Sequence, residues 1–273
     1  MTANYLQWTA SDAAGIIAVP KPSDDKYSRG VLGVITGSTK YPGAAILGVE
    51  AALRTGLGMV RYLGPERPST LVLSRRPEAV TANGRVHAWL IGSGIDAVEG
   101  SESSEWMTEA VGQNVPLVLD GGALSLHLRA VGPVVITPHF RELAKLISGD
   151  ADEIAKDPGA AAAAAAASLG VTVLLKGHTT FVASPEGLRL STRVAPTWLA
   201  TAGAGDALGG ILGALVATHA AAVLVDSNEL ARLAASASVI HGLAAERASR
   251  GGPVTILDVA TAVSATIGAL REP

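Results

Sequence analysis

TAGAGDALGG, residues 201–210, is typical of a glycine-rich turn that leads directly into a helix. Glycine lets the backbone turn tightly and leaves its N–H groups accessible. Those N–H groups, with the positive end of the dipole of the following helix, favour the binding of an anion. Asp206 is then either the base that takes a proton from a hydroxyl while the backbone holds a phosphate, or a cap of the helix. This stretch alone leaves both interpretations open.

The composition indicates a folded protein with a large aliphatic core. The chain has 273 residues, of which 48% are hydrophobic and 16% charged, so it is either one large α/β domain or two small ones. Aromatic residues make up only 4%, whereas alanine and glycine are abundant. We therefore expect a core of Val, Leu, Ile and Ala in which helices pack closely through small residues.

Several function classes are disfavoured by what the chain lacks. The net charge is −3 and there is no basic run, which argues against nucleic acid as a partner. There is no cysteine, which excludes disulfides, thiol catalysis and zinc–thiolate sites. The N-terminus does not resemble a signal peptide, and no apolar stretch reaches the ~18 residues of a membrane span. We expect a cytoplasmic protein that does not bind a membrane.

The order of elements predicts an α/β fold. Residues 1–26 are interpreted as an N-terminal helix, capped by Thr9 or Ser11, and a linker, and residues 27–273 as one catalytic domain. Residues 31–35 form an apolar run that leads through a glycine-rich turn into a helix ended by Gly56, which is half of a βαβ unit.

The same pattern recurs along the chain, and it predicts a three-layer αβα sandwich with a mainly parallel sheet. Further strands are predicted at 58–63, 71–73, 88–91, 117–119, 134–136 and 171–175, with a hairpin formed by 179–183 and 188–193. Helices are predicted at about 141–147, 158–169, 206–218, 226–248 and 255–270.

Polar residues follow the predicted strands, and ligands of such sheets bind at the carboxyl ends of the strands. The sequence therefore predicts one cleft at that edge. The residues concerned are Ser38, Gly94, Asp120, Thr137, His139 and Lys176.

Taken singly, three of these features leave two interpretations open. The turn 176–180 suits phosphate or ribose, but taken alone it is more typical of an ordinary polar turn with a surface lysine. His139 either hydrogen-bonds a substrate or caps a helix together with Glu142. Asp120 either binds a metal or a hydroxyl, or holds a neighbouring loop in place.

In this order, eight motifs resemble those of the ADP/ATP-dependent NAD(P)H-hydrate dehydratase family of the ribokinase-like superfamily. The resemblance runs from about residue 26 to the C-terminus. The motifs are KYSRG (26–30), GSTKYPGAA (37–45), AALRTGLG (51–58), GSG (92–94), DGGAL (120–124), TPH (137–139) with Glu142, LKG (175–177) and GAGD (203–206).

The resemblance implies a hydro-lyase that repairs hydrated NADH or NADPH. A nucleotide, ADP rather than ATP in bacterial members, phosphorylates the ring hydroxyl, and loss of phosphate restores the ring double bond. Asp206 would be the base, and Gly203, Ala204 and Gly205 would hold the phosphoryl group. The implied nucleotide contacts are Lys176, Gly177, His178, Thr179, Thr180 and Gly205, and the implied substrate contacts are Ala44, Gly94, His139 and Asp206.

The resemblance also implies Mg²⁺ with the nucleotide, no metal ligands on the chain, a homotetramer, and a separate epimerase as functional partner. The chain departs from the family pattern at residues 195–199, where a Gly-Asn pair is usual, at Ala204, where a hydroxyl residue is frequent, and at Asp96. Two alternatives remain open: a vitamin-precursor alcohol kinase of the same superfamily that uses the same Asp206, and a nucleotide-binding protein without catalysis.

Overall fold

The computed structural model describes residues 4–96 and 98–272, and in them nine strands form one sheet in the order β1-β9-β8-β7-β6-β5-β4-β2-β3. The strands are β1 (Leu6–Gln7), β2 (Val31–Ile35), β3 (Met59–Tyr62), β4 (Ala88–Ile91), β5 (Leu117–Leu119), β6 (Val134–Ile136), β7 (Thr172–Leu175), β8 (Thr180–Ala183) and β9 (Arg189–Thr192).

Eleven α-helices and two 3-10 helices surround the sheet in the described ranges. The helices are α1 (Ala10–Ile16), α2 (Gly43–Thr55), α3 (Glu66–Arg75), α4 (Ser104–Val111), α5 (Phe140–Leu146), α6 (Ala151–Lys156), α7 (Pro158–Leu169), α8 (Ala204–Thr218), α9 (Ala220–Val223), α10 (Asn228–Ser249) and α11 (Ile256–Leu270). The 3-10 helices are Gly121–Arg129 and Thr197–Leu199.

The sheet is parallel except at β8, which pairs antiparallel with both β7 and β9. The predicted hairpin is therefore confirmed. Two apolar clusters lie on opposite faces of the sheet, one with α2, α8, α10 and α11 and the other with α4, α5 and α7. The predicted three-layer αβα sandwich with a mainly parallel sheet is confirmed.

Small residues let α2 and α8 approach closely, as the composition predicts. A Cβ atom on Gly210 would lie 2.2 Å from the carbonyl oxygen of Gly48, so the two helices touch backbone to backbone at these glycines. Asp206 lies one turn before Gly210 on α8. Its carbonyl oxygen would be 3.6 Å from a Cβ atom on Gly48 of α2. This contact fixes the start of α8 against α2.

The strand predicted at 71–73 is wrong. These residues lie in α3, whose buried side chains are Pro68 and Val72, while Leu71 and Leu73 are exposed. Buried residues four positions apart mark one face of a helix, and a three-residue apolar run is too short to distinguish that spacing from a strand. Proline is tolerated at Pro68 because it lies in the first turn of α3.

The N-terminal segment contributes a strand that the sequence did not predict. β1 pairs in parallel with β9, and the Tyr5 ring packs edge-on against Phe181 with 5.0 Å between centroids. Thr9, rather than Ser11, caps α1 and forms a capping box with Asp12. Helices α4, α6 and α9 and the two 3-10 helices were also not predicted.

No helix in residues 4–96 and 98–272 combines the length and the apolarity that crossing a bilayer requires.

Candidate active site

The carboxyl ends of five neighbouring parallel strands meet at one edge of the sheet. The residues that follow β2, β4, β5, β6 and β7 are Thr36, Gly92, Asp120, Thr137 and Lys176. The predicted convergence of polar residues at one edge is therefore confirmed, and the side chains at three of these strand ends contact one another.

The glycine-rich turn delivers Asp206 to this edge. Gly203 precedes α8 with a left-handed backbone, φ 93°, which glycine adopts without strain. Asp206 lies in the first turn of α8, where backbone N–H groups have no partner within the helix. An anion placed there would accept from these N–H groups and face the positive end of the helix dipole.

Lys176 lies beside this helix start. A Cβ atom on Gly205 would be 3.4 Å from Nζ of Lys176, so the ammonium group stands next to the backbone of the turn. The lysine backbone is fixed by its N–H, which donates to the carbonyl of Pro138 at 2.9 Å. The positive charge of Lys176 thus lies beside the start of α8, where the N–H of Ala204 donates to the carbonyl of Thr201 at 3.3 Å.

Asp120 is the partner of this lysine. Lys176 Nζ donates to Oδ1 of Asp120 at 2.7 Å. The hydroxyls of Thr137 and Ser93 donate to the same carboxylate at 2.7 and 2.8 Å. Burial by itself would raise the pKa of Asp120, but the Lys176 charge and these hydrogen bonds hold that pKa below its ordinary value. Of the two interpretations of Asp120, a role in holding neighbouring elements is the one that its contacts fit.

Asp206 has the opposite electrostatic environment. Burial, and then the negative charge of Asp120, raise the pKa of Asp206 to about 6, against the lowering effect of Lys176. A carboxylate with a pKa near 6 is ionised at neutral pH and still accepts a proton readily. Two acids at one edge therefore have pKa values shifted in opposite directions, as in sites that perform acid–base chemistry.

Ala44 and Gly94 lie in contact, as expected of two residues of one binding surface. A Cβ atom on Gly94 would lie 2.5 Å from Cβ of Ala44, so only glycine fits at that position. The Ser38 hydroxyl donates to the carbonyl of Gly94 at 2.9 Å and ties the loop before α2 to the loop after β4. Ala44 lies one turn before Gly48 on α2, and Gly48 faces the carbonyl oxygen of Asp206.

His139 caps α5. Its Nδ1 accepts the N–H of Glu142 at 3.2 Å, and Glu142 in turn accepts the N–H of His139 at 2.8 Å. The capping interpretation is thus what the structure displays, and a substrate contact through the exposed Nε2 stays a prediction. Glu142 also lies 3.8 Å from Nζ of Lys176, so the cap borders the lysine.

The remaining predicted nucleotide residues form the turn between β7 and β8. Gly177 and His178 are exposed, Thr179 is partly buried, and Thr180 begins β8. His178 accepts a hydrogen bond from Nε of Arg193 at 3.3 Å. Their roles toward a nucleotide stay predictions.

Two contacts that the sequence did not predict lie near Asp96, and one of them places a cation beside its carboxylate. Lys40 Nζ lies 3.0 Å from Oδ2 of Asp96, and Thr39 donates to the carboxylate of Glu102 at 2.9 Å. Both contacts join the loop before α2 to the loop after β4. No signal in the sequence pairs these residues, because they lie 56 and 63 positions apart.

Comparison with known proteins shows to which family the chain belongs. The chain matches the family profile described as NAD(P)H-hydrate dehydratase over residues 32–267. The chain belongs to this family. It is 32% identical over 240 residues to the ADP-dependent (S)-NAD(P)H-hydrate dehydratase of Xanthomonas campestris, a match that covers 80% of this chain and 82% of that protein.

A second group of relatives is longer. The chain is 38% identical over 227 residues to the bifunctional NAD(P)H-hydrate repair enzyme of Mycobacterium tuberculosis, covering 79% of this chain and 46% of that protein. It thus spans about half the length of the curated relatives it matches in this group.

Solved structures share the fold. The ADP/ATP-dependent NAD(P)H-hydrate dehydratase of Bacillus subtilis, co-crystallised with ATP and Mg²⁺, superposes with a TM-score of 0.86 at 24% identity over 98% of this chain and 99% of that one. A hydroxyethylthiazole kinase from Pyrococcus horikoshii shares the fold more distantly, with a TM-score of 0.64 at 17% identity over 94% of this chain and 92% of that one. The dehydratase and the kinase are built on one ribokinase-like architecture.

Proposed function

We propose that this protein is an ADP-dependent (S)-NAD(P)H-hydrate dehydratase. It transfers a phosphoryl group from the nucleotide to the hydroxyl of the hydrated nicotinamide ring and then eliminates phosphate. The observation that carries the proposal is the placement of Asp206, with a pKa raised to about 6, in the first turn of α8 beside Lys176.

In the first step, the Asp206 carboxylate takes the proton of the ring hydroxyl. At the same time, the oxygen of that hydroxyl attacks the terminal phosphorus of the nucleotide. The bond between that phosphorus and the bridging oxygen breaks, and ADP leaves as AMP. The N–H groups of Gly205 and its neighbours, together with Lys176, face the charge of the transferring group. Phosphoryl transfer depends chiefly on such positioning and charge stabilisation.

In the second step, the bond between the ring carbon and the phosphate oxygen breaks. The neighbouring ring carbon gives up a proton, the double bond re-forms, and inorganic phosphate is released. Phosphorylation matters because phosphate is a far better leaving group than hydroxide. The products are NADH or NADPH, AMP, phosphate and the proton.

The proposed reaction uses ADP as the nucleotide, together with a magnesium ion. The Xanthomonas relative is described as ADP-dependent, and the Bacillus protein was crystallised with ATP and Mg²⁺. Within the described part of this chain, no group of three or more His, Asp or Glu side chains could hold a metal. A magnesium ion would enter bound to the phosphates of the nucleotide, as this ion commonly does.

The assembly and partners are proposed on the family relationship. A homotetramer, a cytoplasmic location, a single catalytic domain over residues 27–273, and the partnership of an epimerase for the opposite epimer of the hydrate fit this assignment. Sedimentation of the purified chain tests the tetramer, which predicts a species of about four times the 27.5 kDa chain mass.

The experiment for the activity itself follows the dihydronicotinamide absorbance when the protein meets hydrated NADH with ADP, with ATP or without nucleotide. Asp206→Asn is the test variant. Asp152→Asn is the matched control, because Asp152 is an exposed acid in the first turn of α6. We expect nucleotide-dependent recovery of absorbance in the wild type and in the control, and none in Asp206→Asn.

No recovery in the wild type would contradict the proposal. If the protein then consumed nucleotide with a small alcohol, it would be a kinase of the superfamily. Nucleotide binding without consumption of either substrate would make it a binding protein.

A further inference from the structure

The contacts of Lys176 point to a task for Asp120 that the assignments above leave open. Lys176 is held at one end by its backbone bond to Pro138 and at the other by Asp120 Oδ1, 2.7 Å from Nζ. Its side chain is 20% exposed and that of Asp120 only 8%. A lysine side chain has four flexible bonds, and anchoring both ends removes that freedom before any ligand arrives.

Asp120 is itself fixed on three sides. Oδ1 accepts from Lys176 and from Thr137, and Oδ2 accepts from the Ser93 hydroxyl. Thr137 follows β6 and Ser93 follows β4, so the strands on both sides of β5 supply a donor. A buried carboxylate with all three partners in place cannot move without leaving one of them unpaired, which is costly in a site of low polarity.

We propose that Asp120 is a positioning residue that holds the Lys176 ammonium beside Gly205 as a fixed positive charge of the phosphoryl site. The proposal rests on the proposed function, because a fixed positive charge has a catalytic effect here only if the site transfers a phosphoryl group. A preorganised charge needs no rearrangement as the transition state forms. Asp120 itself touches neither nucleotide nor substrate in this account.

Removing the charge of Asp120 should affect ADP binding and the transfer rate differently. This difference distinguishes a positioning role from a merely structural one. Three carboxylates act on Lys176: Asp120, Glu142 and Asp206. Removing the charge of Asp120 makes the anion site more positive, so ADP should bind at least as tightly. Releasing the lysine should at the same time slow phosphoryl transfer, because misplacement by 1 Å can cost roughly 100-fold in rate. A structural defect would weaken binding and rate together.

A second readout follows from the groups that face Asp206, which are Asp120 from the end of β5 and Lys176 from the end of β7. Asp120→Asn removes a negative charge near Asp206 and frees Lys176 to approach it. Both changes favour the ionised form of Asp206. Its titration should therefore move to lower pH.

The test compares the wild type with Asp120→Asn, with Glu153→Gln as the matched control. Glu153 pairs with Lys156 at 2.6 Å in an exposed ion pair away from the cleft. We measure kcat with hydrated NADH, the Kd of ADP by calorimetry, and the titration of Asp206 by NMR of protein labelled with carbon-13 at aspartate carboxyls. The Asp206 signal is assigned by its loss in Asp206→Asn.

For Asp120→Asn we expect kcat to fall about 10- to 100-fold, the Kd of ADP to stay equal or decrease, and the Asp206 titration to move down by roughly half a unit or more. Glu153→Gln should leave all three unchanged. In a Lys176→Met background, Asp120→Asn should produce little further loss of kcat, since it acts through that lysine.

The proposal is overturned if Asp120→Asn keeps the wild-type kcat, or if kcat and ADP binding are lost together in a folded protein with an unmoved Asp206 titration. Should Asp120→Asn not fold, Ser93→Ala and Thr137→Val each remove one donor to Asp120. They should produce smaller shifts in the same directions, and unchanged values in both would equally overturn it. The NMR and calorimetric readouts need no turnover, so a wild type without dehydratase activity contradicts the proposed function separately.

Discussion

Nζ of Lys176 lies 2.7 Å from Oδ1 of Asp120 and within contact distance of the Cβ position of Gly205, so one ammonium group joins the end of β5 to the start of α8. Lys176 therefore affects the carboxylates of Asp120 and Asp206 to different degrees. The carboxylate that binds it directly has a lowered pKa, and the carboxylate one step further away has a raised one. This asymmetry supports the proposal that Asp206 is the proton acceptor.

The pH dependence of turnover follows from that asymmetry. Burial and then Asp120 raise the pKa of Asp206 to about 6, and only its ionised form accepts a proton. We expect kcat/KM for hydrated NADH to be constant above that pH and to fall about tenfold per pH unit below it. A profile that stays flat down to pH 5 would contradict a base with a pKa near 6.

Asp206 should lower the stability of the protein while serving its chemistry. A carboxyl whose pKa is raised on folding destabilises the folded state at pH values above its folded pKa, and has no such effect below its unfolded value of 3.8. The shift corresponds to about 3 kcal/mol at most, and partial solvent exposure reduces this to about 1 kcal/mol.

Asp206→Asn should therefore raise the free energy of unfolding at pH 8 by about 1 kcal/mol and by only about a third of that at pH 4.5, which lies between the unfolded and folded pKa values. Denaturant unfolding at the two pH values measures the difference. Destabilisation at pH 8 would mean that the Asp206 carboxylate stabilises the fold.

The glycine contact between α2 and α8 gives a prediction with an internal control. Gly210→Ala places a Cβ atom 2.2 Å from the carbonyl oxygen of Gly48, whereas Gly268→Ala on α11 meets nothing within 4 Å. We expect Gly210→Ala to lower the free energy of unfolding by about 2 kcal/mol. Gly268→Ala should raise it by up to about 1 kcal/mol, since alanine favours the helix. Equal effects of the two substitutions would refute the close approach of the helices.

Glu50 should contribute strongly to stability. Its fully buried carboxylate on α2 accepts from Arg54, Arg75 and Arg76. Burial alone would raise its pKa, but the Arg76 and Arg54 hydrogen bonds and the nearby arginine charges lower it. We expect Glu50→Gln to cost about 2 kcal/mol at pH 7, because it leaves the partly buried guanidinium groups of Arg54 and Arg76 without their charged partner.

The matched control is Glu78→Gln, since Glu78 pairs with Arg76 but is 49% exposed and should change stability by less than about 1 kcal/mol. Because the folded pKa of Glu50 is lowered, its contribution is present above the unfolded pKa and is lost as pH falls through the folded pKa. A difference between wild type and Glu50→Gln that does not narrow on acidification would contradict this linkage.

The sequence predicted those parts of the fold that depend on local pattern. The strand at 31–35, the alanine-rich helix between Asp157 and Gly170, and the glycine-rich start of α8 each carry a periodicity or a capping signal. The two-residue strand β1 carries neither, and the strand with which it pairs, β9, lies more than 180 residues later. Leu71 and Leu73 were misassigned because a triplet does not define a period.

The sequence predicted which residues lie at this edge of the sheet better than it predicted which of them contact one another. Parallel strands necessarily bring their carboxyl ends together, which is why Asp120 and Lys176 were expected at one edge. Asp206 reaches that edge from the start of α8 instead. Their pairing was not predictable, because three carboxylates compete for one ammonium and only the register of β4, β5, β6 and β7 selects Asp120. The Lys40–Asp96 pair is of the same kind.

The most direct test of the account follows the oxygen atom of the ring hydroxyl. Hydrated NADH prepared in ¹⁸O-labelled water carries the label on that hydroxyl, and the protein is given this substrate with ADP. If the Asp206-activated hydroxyl attacks phosphorus, the label must appear in the inorganic phosphate, one atom for each NADH formed. Label found in water, with unlabelled phosphate, would show that the hydroxyl leaves without ever being phosphorylated and would contradict the mechanism.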